Sequence, residues 1–200
     1  MSGNSRRLDS VCVYCASSNA AAPEFLAAAE SFGTLLAGEG LRLVYGGGSV
    51  GLMGACAKAA HTAGGRVLGV IPHFLTSYER PLKTVETIVV NSMHERKMMM
   101  FEEADAFAIL PGGIGTLEEV VELLSWRRLG LHAKPIVFLN LLRFWDPMFE
   151  LLDHIVAQNL VPAEFREVWR SVDTVEELLP AMREMPSLAF MTPPGVEEMT

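Results

Sequence analysis

The sequence predicts a doubly wound, Rossmann-like α/β domain with a mostly parallel sheet of about six or seven strands flanked by helices. Short apolar runs rich in Val and Ile alternate along the chain with longer segments whose apolar residues have helical spacing. These runs are apolar at consecutive positions, which is typical of parallel strands that are covered by helices on both faces. In such folds, ligands bind beyond the carboxyl ends of the strands.

The predicted strands recur at intervals that leave room for a helix between them. They are Val11–Cys15, Leu41–Tyr45, Val67–Ile71, Thr87–Val90, Ala106–Leu110 and Pro135–Leu139, with Val168–Val172 as a short edge strand. The predicted helices are Pro23–Ala37, Leu52–Ala63, Met93–Glu103, Thr116–Leu129, Trp145–Gln158 and Val175–Arg183. No linker interrupts residues 10–185, which we expect to form one domain. We expect residues 1–9 to be flexible and the tail at 186–200 to be disordered.

Composition argues against several classes of protein. The chain of 200 residues is 50% hydrophobic, with a net charge of −8, whereas a nucleic-acid binder normally presents a basic face. No apolar run is long enough to span a membrane, and no signal peptide is evident. We therefore expect a cytoplasmic protein that binds neither nucleic acid nor membrane.

Cysteine and histidine usage predicts neither disulfides nor a metal site. Three cysteines form no disulfide framework, and Cys12-x-x-Cys15 lies in a strand, where the two side chains point to opposite faces. This spacing makes a redox motif a poor interpretation. The five histidines are scattered without ligand spacing, and no G-x-S-x-G elbow provides a serine nucleophile.

The first glycine-rich turn, Gly46–Gly54, follows the second predicted strand and contains the pattern G-x-G-x-x-G. A dinucleotide fingerprint normally follows the first strand, and the acidic residue expected about twenty positions later is absent here. Two other interpretations remain. The turn packs its helix close to the sheet, or its bare backbone, including Gly47, forms a wall of a mononucleotide site.

The second glycine-rich turn, Pro111–Glu119, has the sequence PGGIGTLEE and lies between the fifth predicted strand and an amphipathic helix. Glycines allow the backbone N–H groups to converge, and the positive end of the helix dipole favours an anion such as phosphate. We expect Thr116 to cap the helix and to bind the phosphate. The turn is not a Walker A loop, because no Lys follows its last glycine.

Acidic and basic side chains follow two of the predicted strands. Glu118 and Glu119 are expected in the first turn of a helix, where the dipole stabilises an anion, and only one of the two can point into the site. Arg96 and Lys97 follow the fourth strand. If the fourth and fifth strands are neighbours, the cation and the carboxylate face one cleft; a solvated charge pair is the alternative.

Together these motifs resemble the LOG (Lonely Guy) family of cytokinin riboside 5′-monophosphate phosphoribohydrolases, formerly labelled "possible lysine decarboxylase". PGGIGTLEE resembles the signature P-G-G-x-G-T-x-x-E, and SMHERK, YGGGSVGLMG and CVYCASS resemble other family motifs, over residues 10–185. The resemblance implies a homodimer with active sites at or near the subunit interface. It also implies cofactor-free hydrolysis of an N6-substituted AMP to the free base and ribose 5-phosphate.

The resemblance also implies roles for individual residues. Arg96 and Glu119 would be the catalytic pair, and the substrate-binding residues would be Gly47, Glu79, Met93, Lys97, Gly113, Ile114, Gly115, Thr116, Leu117, Glu118 and Ser125. Lysine decarboxylation is not indicated, because no lysine lies in a recognisable setting for a pyridoxal phosphate Schiff base. Two alternatives stay open: a nucleosidase for AMP or other purine monophosphates, and a non-catalytic nucleotide or cofactor carrier.

Overall fold

The computed structural model describes residues 7–186, and within them one sheet contains seven parallel strands. The strands are β1 (Ser10–Tyr14), β2 (Arg42–Tyr45), β3 (Val67–Pro72), β4 (Glu86–Val90), β5 (Ala106–Ile109), β6 (Ile136–Leu139) and β7 (Arg170–Val172). Their order is β4-β3-β2-β1-β5-β6-β7. The direction of strand progression therefore reverses between β1 and β5, which is the topological switch point of a doubly wound sheet.

The helices lie between the strands. They are α1 (Pro23–Gly38), α2 (Gly51–Thr62), α3 (Thr76–Glu79), α4 (Met93–Glu102), α5 (Ile114–Arg128), α6 (Asp146–Ala157) and α7 (Leu178–Glu184), with shorter 3₁₀ turns at His73–Leu75, Leu141–Arg143 and Ala163–Glu167. The predicted α/β architecture and its strands are confirmed, including the short edge strand. The short helix α3 was not predicted. Of the segments expected to be flexible or disordered, residues 1–6 and 187–200 lie outside the described residues.

The centre of the sheet is buried on both faces, as its apolar sequence predicts. Every residue of β1, β5 and β6 is buried. Along β1 the side chains alternate between two core clusters, so that Cys12 and Cys15 pack on opposite sides of the sheet. Both cysteines are buried and free. The expectation that their side chains point to opposite faces is therefore confirmed.

The strand order answers a question that the sequence left open, namely whether β4 and β5 are neighbours. These strands are not neighbours, because β3, β2 and β1 lie between them. After β4, at the edge of the sheet, the chain must return across its face to pair β5 with β1, and α4 packs against β3 and β4 on the way. The amino end of α4 therefore lies near the carboxyl ends of several strands. No helix in residues 7–186 is long and apolar enough to cross a membrane.

Candidate active site

A cavity of about 300 Å³ lies at the switch point, between the chain segments that leave β1 and β5. Its walls are formed by Cys15, Ala16, Ser17, Ser18, Met53, Glu79, Arg96, Gly113, Ile114, Gly115, Thr116 and Glu119. A larger and more open groove of about 600 Å³ lies between α1 and α2, but none of the buried polar side chains lines it. The smaller cavity is therefore the candidate site, because glycines, a buried cation and two carboxyl groups converge there.

One wall of the cavity is the amino end of α5. Gly113 is the residue before the helix, and no side chain in residues 7–186 caps the helix. A Cβ atom added at Gly113 or Gly115 would meet no atom of the described chain within 4 Å, so the backbone is open to the cavity. Free N–H groups at a helix start form an anion site. Thr116 is buried and lines the cavity, but it is the third residue of the helix rather than its cap, which corrects the predicted cap.

Glu118 and Glu119 do not lie in the first turn of the helix, where the sequence predicted them. Because α5 begins at Ile114, two residues earlier than predicted, both glutamates lie in its second turn. The dipole acts mainly on the first turn, so it does not hold them as anions there. Glu119 lines the cavity, and burial raises the pKa of its carboxyl group to about 7, although the nearby Arg96 charge opposes this shift. Glu118 is exposed instead.

Arg96 enters the same cavity from α4. Its side chain is buried; Nε donates a hydrogen bond to the Val70 carbonyl at 3.2 Å, and Nη2 donates to the Gly46 carbonyl at 2.8 Å. Nη2 also lies 3.8 Å from Oε2 of Glu79. Arg96 thus joins the carboxyl ends of β2 and β3 and holds a positive charge beside two carboxyl groups. It lines the same cavity as Glu119, although the strands that precede the two residues, β4 and β5, are separated in the sheet.

The first glycine-rich turn makes room for this arrangement. A Cβ at Gly46 would lie 2.1 Å from Nη2 of Arg96, and a Cβ at Gly54 would lie 2.1 Å from the Ser49 carbonyl oxygen. Gly47 has a φ of +81° and packs against Ile71. The turn therefore has the close-packing role that was one of the two interpretations. The residues that line the cavity do not include Gly47, so the structure gives no support to a backbone wall there.

The structure divides the predicted substrate-binding residues into two groups. Glu79, Gly113, Ile114, Gly115 and Thr116 line the cavity together with Arg96 and Glu119. The others do not line it, namely Gly47, Met93, Lys97, Leu117, Glu118 and Ser125.

Lys97, in the second group, makes a surface ion-pair cluster. Its Nζ lies 2.6 Å from Oε1 of Glu118 and 2.9 Å from Oε2 of Glu122. Met93 instead contacts the Arg96 side chain through its sulfur, at 3.9 Å from Nη1. These positions leave the predicted binding roles of Lys97 and Met93 without support from the cavity of one chain.

The sequence assigned no binding residue to the segment after β1, although this segment belongs to CVYCASS, one of the motifs that resemble the family. Ser17 and Ser18 line the cavity, and Ala16 joins the two glycine-rich turns. The Ala16 N–H donates to the Pro111 carbonyl at 3.1 Å, and the Ala16 carbonyl accepts from the N–H groups of Leu52 and Met53. The signal for this segment is its position after the first strand, which is commonly central in a doubly wound sheet.

Within residues 7–186, no group of three or more His, Cys, Asp or Glu side chains could hold a metal ion. The polar groups that line the cavity are two carboxyl groups, a guanidinium, the hydroxyl groups of Ser17, Ser18 and Thr116, and the N–H groups of a helix start.

Comparisons with known proteins place most of the chain in the family that the sequence motifs resemble. Residues 53–182 match the family model described as "Possible lysine decarboxylase". The chain is 41% identical over 179 residues to the cytokinin riboside 5′-monophosphate phosphoribohydrolase LOG of Oryza sativa subsp. japonica, covering 89% of this chain and 74% of that protein. It is 39% identical over 175 residues to the enzyme LOG3 of Arabidopsis thaliana, which has the same named activity, covering 87% of this chain and 81% of that protein.

Solved structures share the fold. The molybdenum cofactor carrier protein of Chlamydomonas reinhardtii superposes with a TM-score of 0.69 at 23% identity, over 90% of this chain and 98% of that chain. The molybdenum cofactor binding protein of Rippkaea orientalis superposes with a TM-score of 0.64 at 24% identity, over 88% and 96% of the two chains. At such identities the likeness shows a common fold alone.

Proposed function

The chain belongs to the "possible lysine decarboxylase" family that includes the LOG enzymes, and from this premise we propose that it is a cytokinin riboside 5′-monophosphate phosphoribohydrolase. It hydrolyses the N-glycosidic bond of an N6-substituted AMP and releases the free base and ribose 5-phosphate. One observation carries the proposal. The open first turn of α5 and the carboxyl group of Glu119, in the second turn of the same helix, face the same cavity.

The phosphate binds at the start of α5 in this proposal. The backbone from Gly113 to Thr116 offers N–H groups to the phosphate oxygens, and the helix dipole stabilises their charge. Holding this remote group fixes the sugar against the reacting side chains, so binding energy is used to position the glycosidic carbon.

Glu119 acts at the glycosidic carbon. As the bond from C1′ to N9 breaks, its electron pair leaves with the base and the ribose becomes positively charged. An ionised Glu119 stabilises that charge and accepts a proton from the water that attacks C1′. The base takes up one proton, so the hydroxyl group of the water is added to the ribose and a hydrogen to the base. Because burial places the pKa of Glu119 at about 7, the activity should rise as pH increases through neutrality.

Arg96 positions the acid rather than exchanging protons. Two of its nitrogens are already engaged with main-chain carbonyls, so the guanidinium is held in place by the ends of β2 and β3. Its charge favours the ionised form of Glu119 against the effect of burial. This charge also stabilises the negative charge that develops on the departing base.

The decisive experiment measures the base released from AMP and from isopentenyladenosine 5′-monophosphate, with the corresponding nucleosides as controls. We expect the isopentenyl nucleotide to be the better substrate and both nucleosides to be cleaved far more slowly, because they lack the phosphate. Glu119→Gln should lose nearly all activity. Equal cleavage of AMP would favour the general purine-monophosphate nucleosidase. Tight nucleotide binding without any release would favour the carrier.

We propose further that the protein is a homodimer in which a second copy covers the outer face of α5. Ile114 and Val121 are 84% and 56% exposed, and their spacing places them on one side of the helix with Glu118 and Ser125. Exposed apolar side chains that lie together on one face are typical of an interface, whereas single exposed ones are common. A second copy is also what would bring Glu118 and Ser125, which lie outside their own cavity, to a binding site.

The dimer is tested by light scattering after size-exclusion chromatography. Val121→Glu should give a monomer with a raised KM for the nucleotide, whereas Leu160→Glu, at a residue that is 70% exposed beyond α6, should remain dimeric. If the wild-type protein is a monomer, the proposed homodimer is wrong. We also propose a cytoplasmic location, which the three free, buried cysteines support.

A further inference from the structure

Glu79 has an acceptor atom that nothing in the described chain satisfies. Its Oε2 oxygen is buried and accepts no hydrogen bond within residues 7–186. The nearest cationic nitrogen, Nη2 of Arg96, lies 3.8 Å away and already donates to the Gly46 carbonyl at 2.8 Å. A buried acceptor without a donor is unfavourable, and in a ligand cavity it indicates that the ligand supplies the donor.

The position of Glu79 is fixed by its surroundings. The N–H and Oγ groups of Ser49 both donate to the Glu79 carbonyl, at 2.9 and 3.2 Å. The next residue, Arg80, has a left-handed φ of +43°, which turns the chain away at the end of α3. A Cβ at Gly48 would lie 3.1 Å from Oε2 of Glu79, so this glycine leaves room for the carboxyl group. The carboxyl group is therefore built into the cavity wall.

The donors of a nucleoside monophosphate are few, and this step rests on the proposed function. They are the ribose hydroxyls and the exocyclic amino group of the base, since the phosphate dianion has none. Glu79 and Glu119 both lie beside Arg96, and the charge of Glu79 contributes to the raised pKa of Glu119. Both carboxyl groups line one cavity of about 300 Å³, so Glu79 lies within reach of the sugar whose C1′ faces Glu119.

We propose that Glu79 accepts a hydrogen bond from the ribose 2′-hydroxyl, so that the site selects ribonucleotides over 2′-deoxyribonucleotides. The 2′-carbon adjoins C1′, and a hydrogen bond from the 2′-hydroxyl to a carboxylate strengthens as the ribose becomes positively charged. Glu79 therefore acts on the rate of bond cleavage as well as on binding. The hydrogen bonds from Ser49 serve this selection by holding the main chain of Glu79 in place, and Gly48 serves it by leaving room for the carboxyl group.

The test compares kcat/KM for AMP, 2′-deoxy-AMP, 3′-deoxy-AMP and IMP in the wild type and in Glu79→Ala. The ratio of AMP to 2′-deoxy-AMP should fall by about 10- to 100-fold in the variant, the effect of losing a hydrogen bond to a charged group. Intrinsic differences in the lability of the two substrates cancel in this comparison. The ratios of AMP to 3′-deoxy-AMP and of AMP to IMP should stay within about threefold.

Two further variants keep the test sharp. Gly48→Ala, which displaces the carboxyl group without removing it, should lower the same ratio, and Glu176→Ala, at an exposed residue outside the cavity, should leave it unchanged. Calorimetric binding of AMP and 2′-deoxy-AMP to folded Glu119→Gln, with and without Glu79→Ala, gives a readout that needs no turnover.

The outcomes separate this inference from the proposed function. An unchanged AMP to 2′-deoxy-AMP ratio in Glu79→Ala overturns the assignment, and a change in the AMP to IMP ratio alone would assign Glu79 to the base. If the wild type cleaves no nucleotide, the proposed function fails, and the binding measurement still decides whether Glu79 recognises the 2′-hydroxyl.

Discussion

In the first glycine-rich turn each glycine lies against an atom that a side chain would strike, whereas in the second turn two glycines face open space. A Cβ at Gly51 or Gly54 would come within 2.5 Å of a backbone atom, of Ser17 and Ser49 respectively. At Gly113 and Gly115 the same added atom meets nothing within 4 Å. The first turn needs glycine so that the protein can pack, and the second leaves room for something else to approach.

This difference shows that glycine content by itself does not identify a ligand site. The first turn contains the pattern that is better known from dinucleotide sites, yet its glycines accommodate Arg96 and the Ser17 backbone. The second turn has the less familiar pattern and lines the cavity. The neighbours of each glycine, which the sequence does not list, decide between the two roles.

The largest expected effect is the loss of folding stability in Gly54→Ala. The added methyl group would lie 2.1 Å from the Ser49 oxygen and 2.3 Å from its carbonyl carbon, and these backbone atoms cannot move aside as a side chain can. We expect the free energy of unfolding in urea to fall by about 3 kcal/mol. Gly38→Ala, where nothing lies within 4 Å, is the matched control and should change stability little. If the free energy of unfolding fell by less than about 1 kcal/mol in Gly54→Ala, the first turn would not need glycine for packing, and the contrast between the two turns would fail.

The next effect is the pH dependence of Glu119→Gln. The folded pKa of Glu119 is raised from 4.5 to about 7, so between these values the folded protein holds a proton that the unfolded chain has lost. The contribution of Glu119 to stability is complete below pH 4.5 and is lost as pH rises through about 7. Glu119→Gln should therefore gain about 2–3 kcal/mol on the wild type between pH 4 and pH 8.

Unfolding in denaturant at several pH values measures this gain. Glu118→Gln provides the control on the adjacent residue, since its carboxyl group is exposed and pairs with Lys97. If the two variants show the same dependence on pH, burial in the cavity is not the cause. A gain confined to Glu119→Gln would show that the second turn carries a carboxyl group at the expense of stability, as sites often do.

The smallest expected effect on stability comes from Gly115→Ala. Alanine is favoured over glycine in a helix by about 0.5–1 kcal/mol, and no neighbour opposes the added methyl group at this position. The variant should therefore be slightly more stable but should have a raised KM for the nucleotide, because the methyl group enters the space assigned to the phosphate. If Gly115→Ala lost stability while its KM stayed unchanged, Gly115 would serve packing and not ligand binding, which would contradict the role assigned to the second turn.

Most of the fold could be predicted because its signals are local. A run such as Ala106–Leu110 is apolar at every position, so it must be buried on both faces wherever it lies, and the structure places β5 there. The start of α5 was placed two residues too late, since glycines have low helix propensity and Gly115 lies inside the first turn. The short helix α3 was missed because its four residues have no periodicity to detect.

The sequence by itself determined the alternation of strands and helices and the sheet edge where the cavity lies, and it predicted a phosphate site at Pro111–Glu119, because these follow from short-range pattern and backbone freedom. Only the tertiary structure decided the strand order, which separates β4 from β5 and yet brings Arg96 and Glu119 into one cavity. It also decided that the half-buried Glu119, and not the exposed Glu118, lines the cavity and has a raised pKa. Desolvation and charge proximity depend on every element packed around a group, and those elements are far apart in the chain.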